Sequence, residues 1–156
     1  MNERKKKRLV FAADHAGFEL KEMLKENLRM PGYDIDDCGV FSATAANWVE
    51  FGAIAAAKIS ASPEDAVGIL ICGSGIGMSI VANKFRNVRA ALCHDENAAR
   101  LARRHNDANV LALGARIVDA PTALRIVDVF LQTAFEGGRH QVRLDYLRDR
   151  VENKIH

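Results

Sequence analysis

The chain has 156 residues, of which 49% are hydrophobic and 27% are charged, as expected for one domain with a single core. It lacks a secretory signal and any apolar stretch of about 18 residues, so we predict a cytoplasmic location and no membrane partner. The formal net charge is +2, a value that excludes neither an enzyme nor a binding protein.

The positive charge is concentrated at the start of the chain. Residues 1–8 hold five basic residues and one acidic residue, so the remainder is slightly acidic. We predict that residues 1–8 are a basic leader, a solvated lead-in to the first strand, and that residues 9–156 form a single domain. No nucleic-acid partner is predicted, because no basic helix face or interleaved aromatic residues accompany the leader.

The cysteines Cys38, Cys72 and Cys93 are odd in number, widely spaced and not arranged in CxxC pairs. This pattern favours reduced thiols over a disulfide framework, and it indicates no zinc site.

Short apolar runs alternate with amphipathic stretches, a pattern typical of parallel strands that are buried on both faces and joined by helices. The predicted strands cover 9–13, 33–38, 67–72, 89–93 and 110–113. The predicted helices cover 16–29, 47–60, a segment from the glycines near 75 to 84, 97–105 and 121–133. A charged helix with a narrow apolar stripe follows Gly137–Gly138, and it lies either loosely on its own domain or against a neighbouring subunit. We therefore predict an α/β fold with a five-stranded parallel sheet.

Unusual residues follow the predicted strands. Parallel sheets bind ligands beyond the carboxyl ends of their strands. Asp14 and His15 follow the first strand, Cys72 closes the third, and Gly114 to Arg116 follow the fifth. The pattern places a ligand site at this edge.

The turn after the third strand contains Gly73, Gly75 and Gly77, separated by Ser74 and Ile76. Glycines let backbone N–H groups converge on an anionic oxygen at a helix start. Met78 breaks the GxGxxG dinucleotide pattern, and the lysine of a Walker motif is missing. The turn is an oxyanion or phosphate cradle, or else a tight turn without a ligand.

Cys72 lies beside this cradle, where converging amides favour a thiolate that can act as a base. The alternative is a small buried hydrophobe, which is our interpretation of Cys38 and Cys93. His105 suits acid–base chemistry, although a histidine at a helix end also serves as a surface or capping residue.

Arg139 and Arg143 are one helical turn apart, so both guanidinium groups can hold one phosphate. In a charged C-terminal segment the alternative is a solvated helix face.

Four ordered segments together resemble the type B ribose-5-phosphate isomerase family, which includes the galactose-6-phosphate isomerase subunits. They are "ADHAGFELK" at 13–21, "GILICGSGIGMSIVANK" at 68–84, "RAALCHDENAARLARRHNDANVLALGAR" at 89–116 and "FEGGRH" at 135–140. The resemblance implies a Rossmann-like three-layer α/β/α sandwich. It also implies a homodimer, in some members paired into a tetramer, whose sites lie at the interface and whose C-terminal helix packs on the partner subunit.

The same resemblance implies interconversion of ribose 5-phosphate and ribulose 5-phosphate without a metal or an organic cofactor. Its implied catalytic residues are Cys72 as the base that removes the proton, His105 for ring opening, Asp14 and Ser74. Its implied substrate-binding residues are His15, Trp48, Gly73, Gly75, Ile76, Gly77, Asn106, Arg116, Arg139 and Arg143. Base and cradle belong together because removal of a C–H proton leaves negative charge on an adjacent oxygen.

Two positions depart from the family pattern. Ser74 replaces the usual threonine and keeps its hydroxyl. Asn47-Trp48-Val49 replaces Asp-Tyr-Pro, and the bulk of Trp48 changes the sugar pocket. The alternatives are therefore the same chemistry on erythrose 4-phosphate, allose 6-phosphate or galactose 6-phosphate, or a non-catalytic sugar-phosphate-binding module. Binding alone needs neither Cys72 nor His105, which favours the enzyme.

Overall fold

The structure is a computed structural model that describes residues 6–28 and 31–154. The described residues form five strands and six α-helices. The strands are β1 (Lys7–Ala13), β2 (Tyr33–Asp37), β3 (Ala66–Cys72), β4 (Ala90–Leu92) and β5 (Val110–Gly114). The helices are α1 (Phe18–Asn27), α2 (Trp48–Ala61), α3 (Ile76–Ala82), α4 (Glu96–Asn106), α5 (Ala120–Gln132) and α6 (Arg139–Arg150), followed by a short 3-10 turn at Glu152–Lys154.

The first strand begins two residues earlier than predicted, at Lys7. Lys7 pairs with Tyr33 of β2, and Arg8 pairs with both Asp34 and Ala66. Sheet pairing extends into the predicted leader because a basic side chain on an exposed strand end remains solvated while its backbone joins the ladder. Residues 1–5 of the leader lie outside the described residues.

All strands run parallel in the order β2-β1-β3-β5-β4. β1 therefore has β2 on one side and β3 on the other, so the connections that follow β1 and β2 lead to opposite sides of it. Such a switch in direction opens a crevice at the carboxyl ends of the two central strands. Here those ends are Ala13, which precedes Asp14, and Cys72.

Alternate strand residues form the two cores. Leu9 and Phe11 belong to a cluster with residues of α1, α4 and α5, whereas Val10 and Ala12 belong to a cluster with residues of α2 and α3. Successive side chains of a strand point to opposite faces, so helices cover both faces of the sheet. This arrangement confirms the predicted three-layer sandwich, and Cys72 lies on the α2–α3 face.

A buried ion pair joins α1 to the end of β2. The Lys21 side chain is 0% exposed, and its Nζ donates to both carboxylate oxygens of Asp37 at 2.7 Å. Lys25 and the Gly39 amide also donate to this carboxylate. Burial alone would raise the pKa of Asp37, but the hydrogen bonds from Lys21, Lys25 and Gly39 hold it below the usual 3.8. The pair fixes the beginning of the loop that leads to α2.

We predict that Asp37→Asn lowers the free energy of unfolding by about 3 kcal/mol, because it leaves the buried Lys21 with a weaker set of partners. Urea denaturation measures the difference. Asp34→Asn is the matched control, since its ion pair with Lys6 is more than half exposed and should contribute less than about 1 kcal/mol. The pKa of Asp37 is lowered on folding, so its contribution is complete above about pH 3.8 and is lost as the pH falls through the lowered value. Equal stability of the two variants at pH 7 would contradict this account.

The last helix has little of its apolar surface covered by its own chain. α6 buries His140 but leaves Val142 68% and Tyr146 65% exposed. Packing of this helix on a partner subunit remains a prediction. Within the part of the chain that is described, no helix is long and apolar enough to cross a membrane.

Candidate active site

The turn between β3 and α3 brings a thiol against a backbone amide. The Gly75 N–H points at Cys72 Sγ, with 3.2 Å between nitrogen and sulfur. Gly75 has a φ of +77°, and a Cβ added there would lie 2.6 Å from Leu92 Cδ1. Only glycine fits this conformation and space. The turn thus directs a backbone hydrogen-bond donor at the Cys72 sulfur.

The end of β5 supports the same turn. The Ala115 N–H donates to the Cys72 carbonyl and the Arg116 N–H donates to the Gly73 carbonyl, each at 2.9 Å. A Cβ on Gly73 would lie 3.1 Å from Arg116 Nη1, so the exposed guanidinium lies across the turn. The absence of a side chain at Gly73 thus allows a cation to approach the glycine cradle.

Trp48 forms one wall of the site. It is the first residue of α2, whose N-cap Asn47 accepts a hydrogen bond from the Val49 N–H. A Cβ on Gly77 would lie 2.9 Å from two atoms of the indole ring, so the ring packs directly on the turn.

These residues surround an open cavity of about 570 Å³ at the carboxyl edge of the sheet. Eight of the predicted site residues line it, together with Ile80 and Ile117: Asp14, Trp48, Cys72, Gly73, Ser74, Ile76, Gly77 and Arg116. Two smaller and better-enclosed depressions, of about 390 and 530 Å³, lie beside α6, but none of these eight residues lines them. We take the cavity beside Cys72 as the site because only there do the thiol, the cradle and a cation meet.

Asp14 and His15 follow β1 at the crevice. Asp14 is 6% exposed, and its Oδ1 accepts a hydrogen bond from the Gly17 N–H at 3.1 Å. His15 is exposed, and its Nδ1 lies 3.2 Å from the Ala46 nitrogen and 3.3 Å from the Ala46 oxygen. It therefore ties the loop before α2 to the end of β1.

The other predicted site residues lie at the opposite edge of the sheet. α4 runs back from the carboxyl end of β4, so His105 and Asn106 come at the amino edge, where the Asn106 carbonyl accepts from Arg89 Nε at 3.0 Å. In the sheet register, Cys72 is paired with Gly114 of β5, and Ala90, the first residue of β4, is paired with Val110 of β5. Gly114 and Val110 are four residues apart along β5, so the two edges of the sheet are separated by roughly 13 Å. The chain therefore does not bring its own His105 to its own Cys72.

His105 is instead part of a histidine–glutamate cluster, which we define as His105, Glu136 and His140. The two imidazole rings stack with centroids 4.2 Å apart and an interplanar angle of 12°. Glu136 Oε2 lies 3.9 Å from His105 Nε2 and 3.3 Å from His140 Nε2. Arg139 begins α6, so it and Arg143 belong to the same edge as the cluster.

Burial and a neighbouring arginine shift the pKa values of two cluster residues. Burial, reinforced by the nearby His105 and Arg139, lowers the pKa of His140, although Glu136 opposes the shift. A hydrogen bond from Arg104 lowers the pKa of Glu136. Glu136 and His140 were not predicted as site residues, although their spacing of four residues across the glycine pair was an available signal.

Asp107 caps the carboxyl end of α4 in the left-handed backbone conformation, and its role was also not predicted. It has a φ of +43°, and its carboxylate pairs with Arg89 at 3.2 Å and with Arg103 at 2.9 Å. These two cations hold the end of the helix, and thereby the positions of His105 and Asn106.

Fold and cavity together define a Rossmann-like α/β protein with a ligand-sized site at the switch point of its sheet. The profile of the family described as Ribose/Galactose Isomerase matches residues 9–147. Ribose-5-phosphate isomerase B of Escherichia coli strain K12 is 41% identical over 139 residues, covering 89% of this chain and 93% of that protein. The chain therefore belongs to the ribose/galactose isomerase family and is a sugar phosphate isomerase.

Solved structures agree with this assignment. Ribose-5-phosphate isomerase B from Clostridium thermocellum matches with a TM-score of 0.89 and 39% identity, covering 96% of this chain and 99% of that chain. The enzyme from Mycoplasma genitalium with bound ribulose-5-phosphate matches with a TM-score of 0.90 and 36% identity, covering 98% of this chain and 100% of that chain. The predicted family and fold are confirmed.

Proposed function

We propose that the protein interconverts ribose 5-phosphate and ribulose 5-phosphate through an enediolate, with the Cys72 thiolate as the base. The observation that carries the proposal is the contact between the Gly75 N–H and Cys72 Sγ inside the cavity. The names of similar proteins, and the ribulose-5-phosphate bound to one of them, support a pentose phosphate as the substrate.

The reaction moves a carbonyl group between C1 and C2. Cys72 takes the proton from C2 of the open-chain aldose, and the electrons of the broken C–H bond leave the negative charge of an enediolate on O1. The proton of the C2 hydroxyl then passes to O1, and the Cys72 thiol returns its proton to C1, which gives the ketose. Amides of the Gly73–Gly77 turn stabilise the enediolate oxygen, and one donor of this kind contributes roughly 10² to 10³ in rate. Ser74 Oγ accepts from the Ile76 N–H at 3.2 Å, so its own proton remains available for a substrate oxygen.

Opening of the sugar ring requires an acid and a base. Asp14 is in the Cys72 cavity, whereas His105 lies at the far edge of the same chain. We therefore propose a homodimer in which His105 and Asn106 of the partner subunit complete each site. Arg139 and Arg143 of the partner subunit would hold the phosphate together with Arg116. The large exposed fractions of Val142 and Tyr146 on α6 support such an interface.

Pairing of dimers into a tetramer and a cytoplasmic location belong to the same proposal. The first follows from the family resemblance. The second is supported by the three free cysteines, two of which are buried.

Trp48 favours a second candidate, the same chemistry on a sugar phosphate of another length. Its ring packs on Gly77 as a wall of the cavity, and an indole leaves less room for the sugar than the tyrosine that is usual in the family.

A comparison of kcat/KM for ribose 5-phosphate, erythrose 4-phosphate and allose 6-phosphate tests the substrate. We expect ribose 5-phosphate to be preferred at least about tenfold over each competitor, since one mismatched carbon in a fitted pocket is worth roughly 10- to 200-fold. Trp48→Tyr is the informative variant, and it should raise the relative kcat/KM for allose 6-phosphate by enlarging the pocket. A wild-type preference for the tetrose or hexose phosphate would overturn the pentose assignment.

A further inference from the structure

The histidine–glutamate cluster brings together three groups that bind metals, from three separate segments. His105 comes from the last turn of α4, Glu136 from the segment after α5, and His140 from the first turn of α6. One ligand atom from each lies within 4.8 Å of the other two. Ligand atoms on a tetrahedral zinc ion lie roughly 3.3 Å apart, which follows from bonds near 2.0 to 2.1 Å. The separation of His140 Nε2 and Glu136 Oε2 is already 3.3 Å.

The glutamate is held in place independently of the histidines. The Glu136 N–H donates to the Arg104 carbonyl at 3.1 Å, and Arg104 Nε donates to Glu136 Oε1 at 2.6 Å. One carboxylate oxygen is thus occupied by arginine, while Oε2 faces the imidazoles. Partners that orient a ligating carboxylate in this way strengthen metal binding.

His140 supplies the second observation. Its ring is only 4% exposed, and among the described residues its Nε2 has no hydrogen-bond partner. Glu136 Oε2 is close enough for an ion pair but is not aligned for a hydrogen bond. An unpaired buried nitrogen costs free energy, and a metal ion at the cluster would remove that cost.

We propose that His105, Glu136 and His140 form a binding site for a divalent transition-metal ion such as Zn²⁺. Two imidazoles and one carboxylate, with a fourth position for water, are a ligand set that zinc uses. Mg²⁺ and Ca²⁺ do not suit it, because they prefer oxygen ligands and because Arg104, Arg139 and Arg143 repel a cation held by charge alone. Binding requires His105 to tilt from its stacked position, which its half-buried setting at a helix end permits.

The metal is an inhibitor of the enzyme and has no part in its chemistry. This consequence, unlike the binding itself, rests on the proposed function. A metal ion on His105 Nε2 occupies the lone pair that ring opening needs. The inhibition should therefore affect the cyclic aldose phosphate more than the open-chain ketose phosphate.

Calorimetric titration of the chelator-treated wild-type protein with Zn²⁺ at pH 7.5 tests the site, with Mg²⁺ as the negative probe. We expect one Zn²⁺ per chain, with an affinity that falls at least about tenfold in His140→Gln and in Glu136→Gln. His94→Gln is the matched control, because this exposed histidine lies outside the cluster, and it should bind Zn²⁺ as the wild type does. Cys72→Ala should also bind Zn²⁺ normally. Loss of binding in Cys72→Ala, or unchanged binding in both cluster variants, would overturn the site.

A second measurement does not depend on the folding of the variants. In wild-type protein, Zn²⁺ should shift the imidazole ¹⁵N resonances of His105 and His140 and leave those of His94 in place. Equal shifts at all three histidines, or none at His105 and His140, would refute the assignment.

Kinetics separate this inference from the proposed function. We expect Zn²⁺ to lower kcat/KM for ribose 5-phosphate more strongly than for ribulose 5-phosphate in the wild type, and less in His140→Gln. If Zn²⁺ binds at the cluster but turnover is unchanged, the metal site stands and the role of His105 in ring opening is refuted.

Discussion

Replacement of Cys72 by alanine is expected to reduce kcat for the isomerisation of ribose 5-phosphate by about 10⁴-fold, near the upper limit for loss of a general base. The variant lacks the proposed base, the Cys72 thiol, which lines the cavity and accepts a hydrogen bond from the Gly75 amide. Binding of the substrate phosphate should change less than about twofold, because Arg116 and the glycine turn remain. Initial-rate kinetics measure the isomerisation, and exchange of the C2 proton with solvent deuterium measures the removal of that proton.

Cys93→Ala is the matched control for the Cys72 variant. Cys93 is 1% exposed in the opposite core, and burial raises the pKa of its thiol to about 11, so it is protonated at neutral pH. Its replacement should leave kcat within about twofold, since truncation of a buried side chain affects stability before chemistry. Undiminished turnover and C2 exchange in Cys72→Ala would refute the thiolate mechanism and would favour a base elsewhere in the cavity.

The second large effect is recovery of activity when two inactive variants are mixed. Cys72→Ala and His105→Asn should each have little activity as homodimers. If Cys72 of one subunit works with His105 of the partner subunit, each mixed dimer has one intact site and one doubly defective site. Random assortment makes half of the dimers mixed, so the mixture should recover about a quarter of the wild-type activity.

The control mixture combines Cys72→Ala with Asp14→Asn. Both residues line the same cavity of one chain, so every site in a mixed dimer keeps one defect and no activity should return. Subunits are exchanged by refolding together. Two different affinity tags then isolate the mixed dimers, and those of Cys72→Ala with His105→Asn should have about half of the wild-type activity, since one of their two sites is intact. A lack of recovery with His105→Asn, in dimers shown to be mixed, would refute the shared site.

Local features of the sequence predicted the parts of this protein that depend on neighbouring residues. The run Val67–Cys72 is apolar and rich in β-branched side chains, and it forms the buried strand β3. The glycine spacing indicated a turn with backbone angles that other residues rarely adopt, and Gly75 has such a positive φ angle. The existence of the strands and helices, and the glycine turn beside Cys72, follow from such short-range constraints.

Strand ends were predicted less well than the strands themselves. β1 starts at Lys7 inside the predicted leader, and β4 covers only Ala90–Leu92 of the predicted 89–93. The ends depend on which neighbouring strand offers a free N–H or carbonyl group. That pairing is a property of the assembled sheet and leaves no local pattern in the sequence.

By itself, then, the sequence determined the α/β class, the glycine turn and the thiol beside it. The reason is that hydrophobic periodicity and glycine content act on backbone conformation within a few residues. Tertiary structure alone decided the strand order, which places Asp14 next to Cys72 at the switch point. It also decided that His105 lies at the other edge with Glu136 and His140. The physical reason is that a helix returns the chain across the full length of the sheet, so residues distant in sequence meet only after every layer has packed.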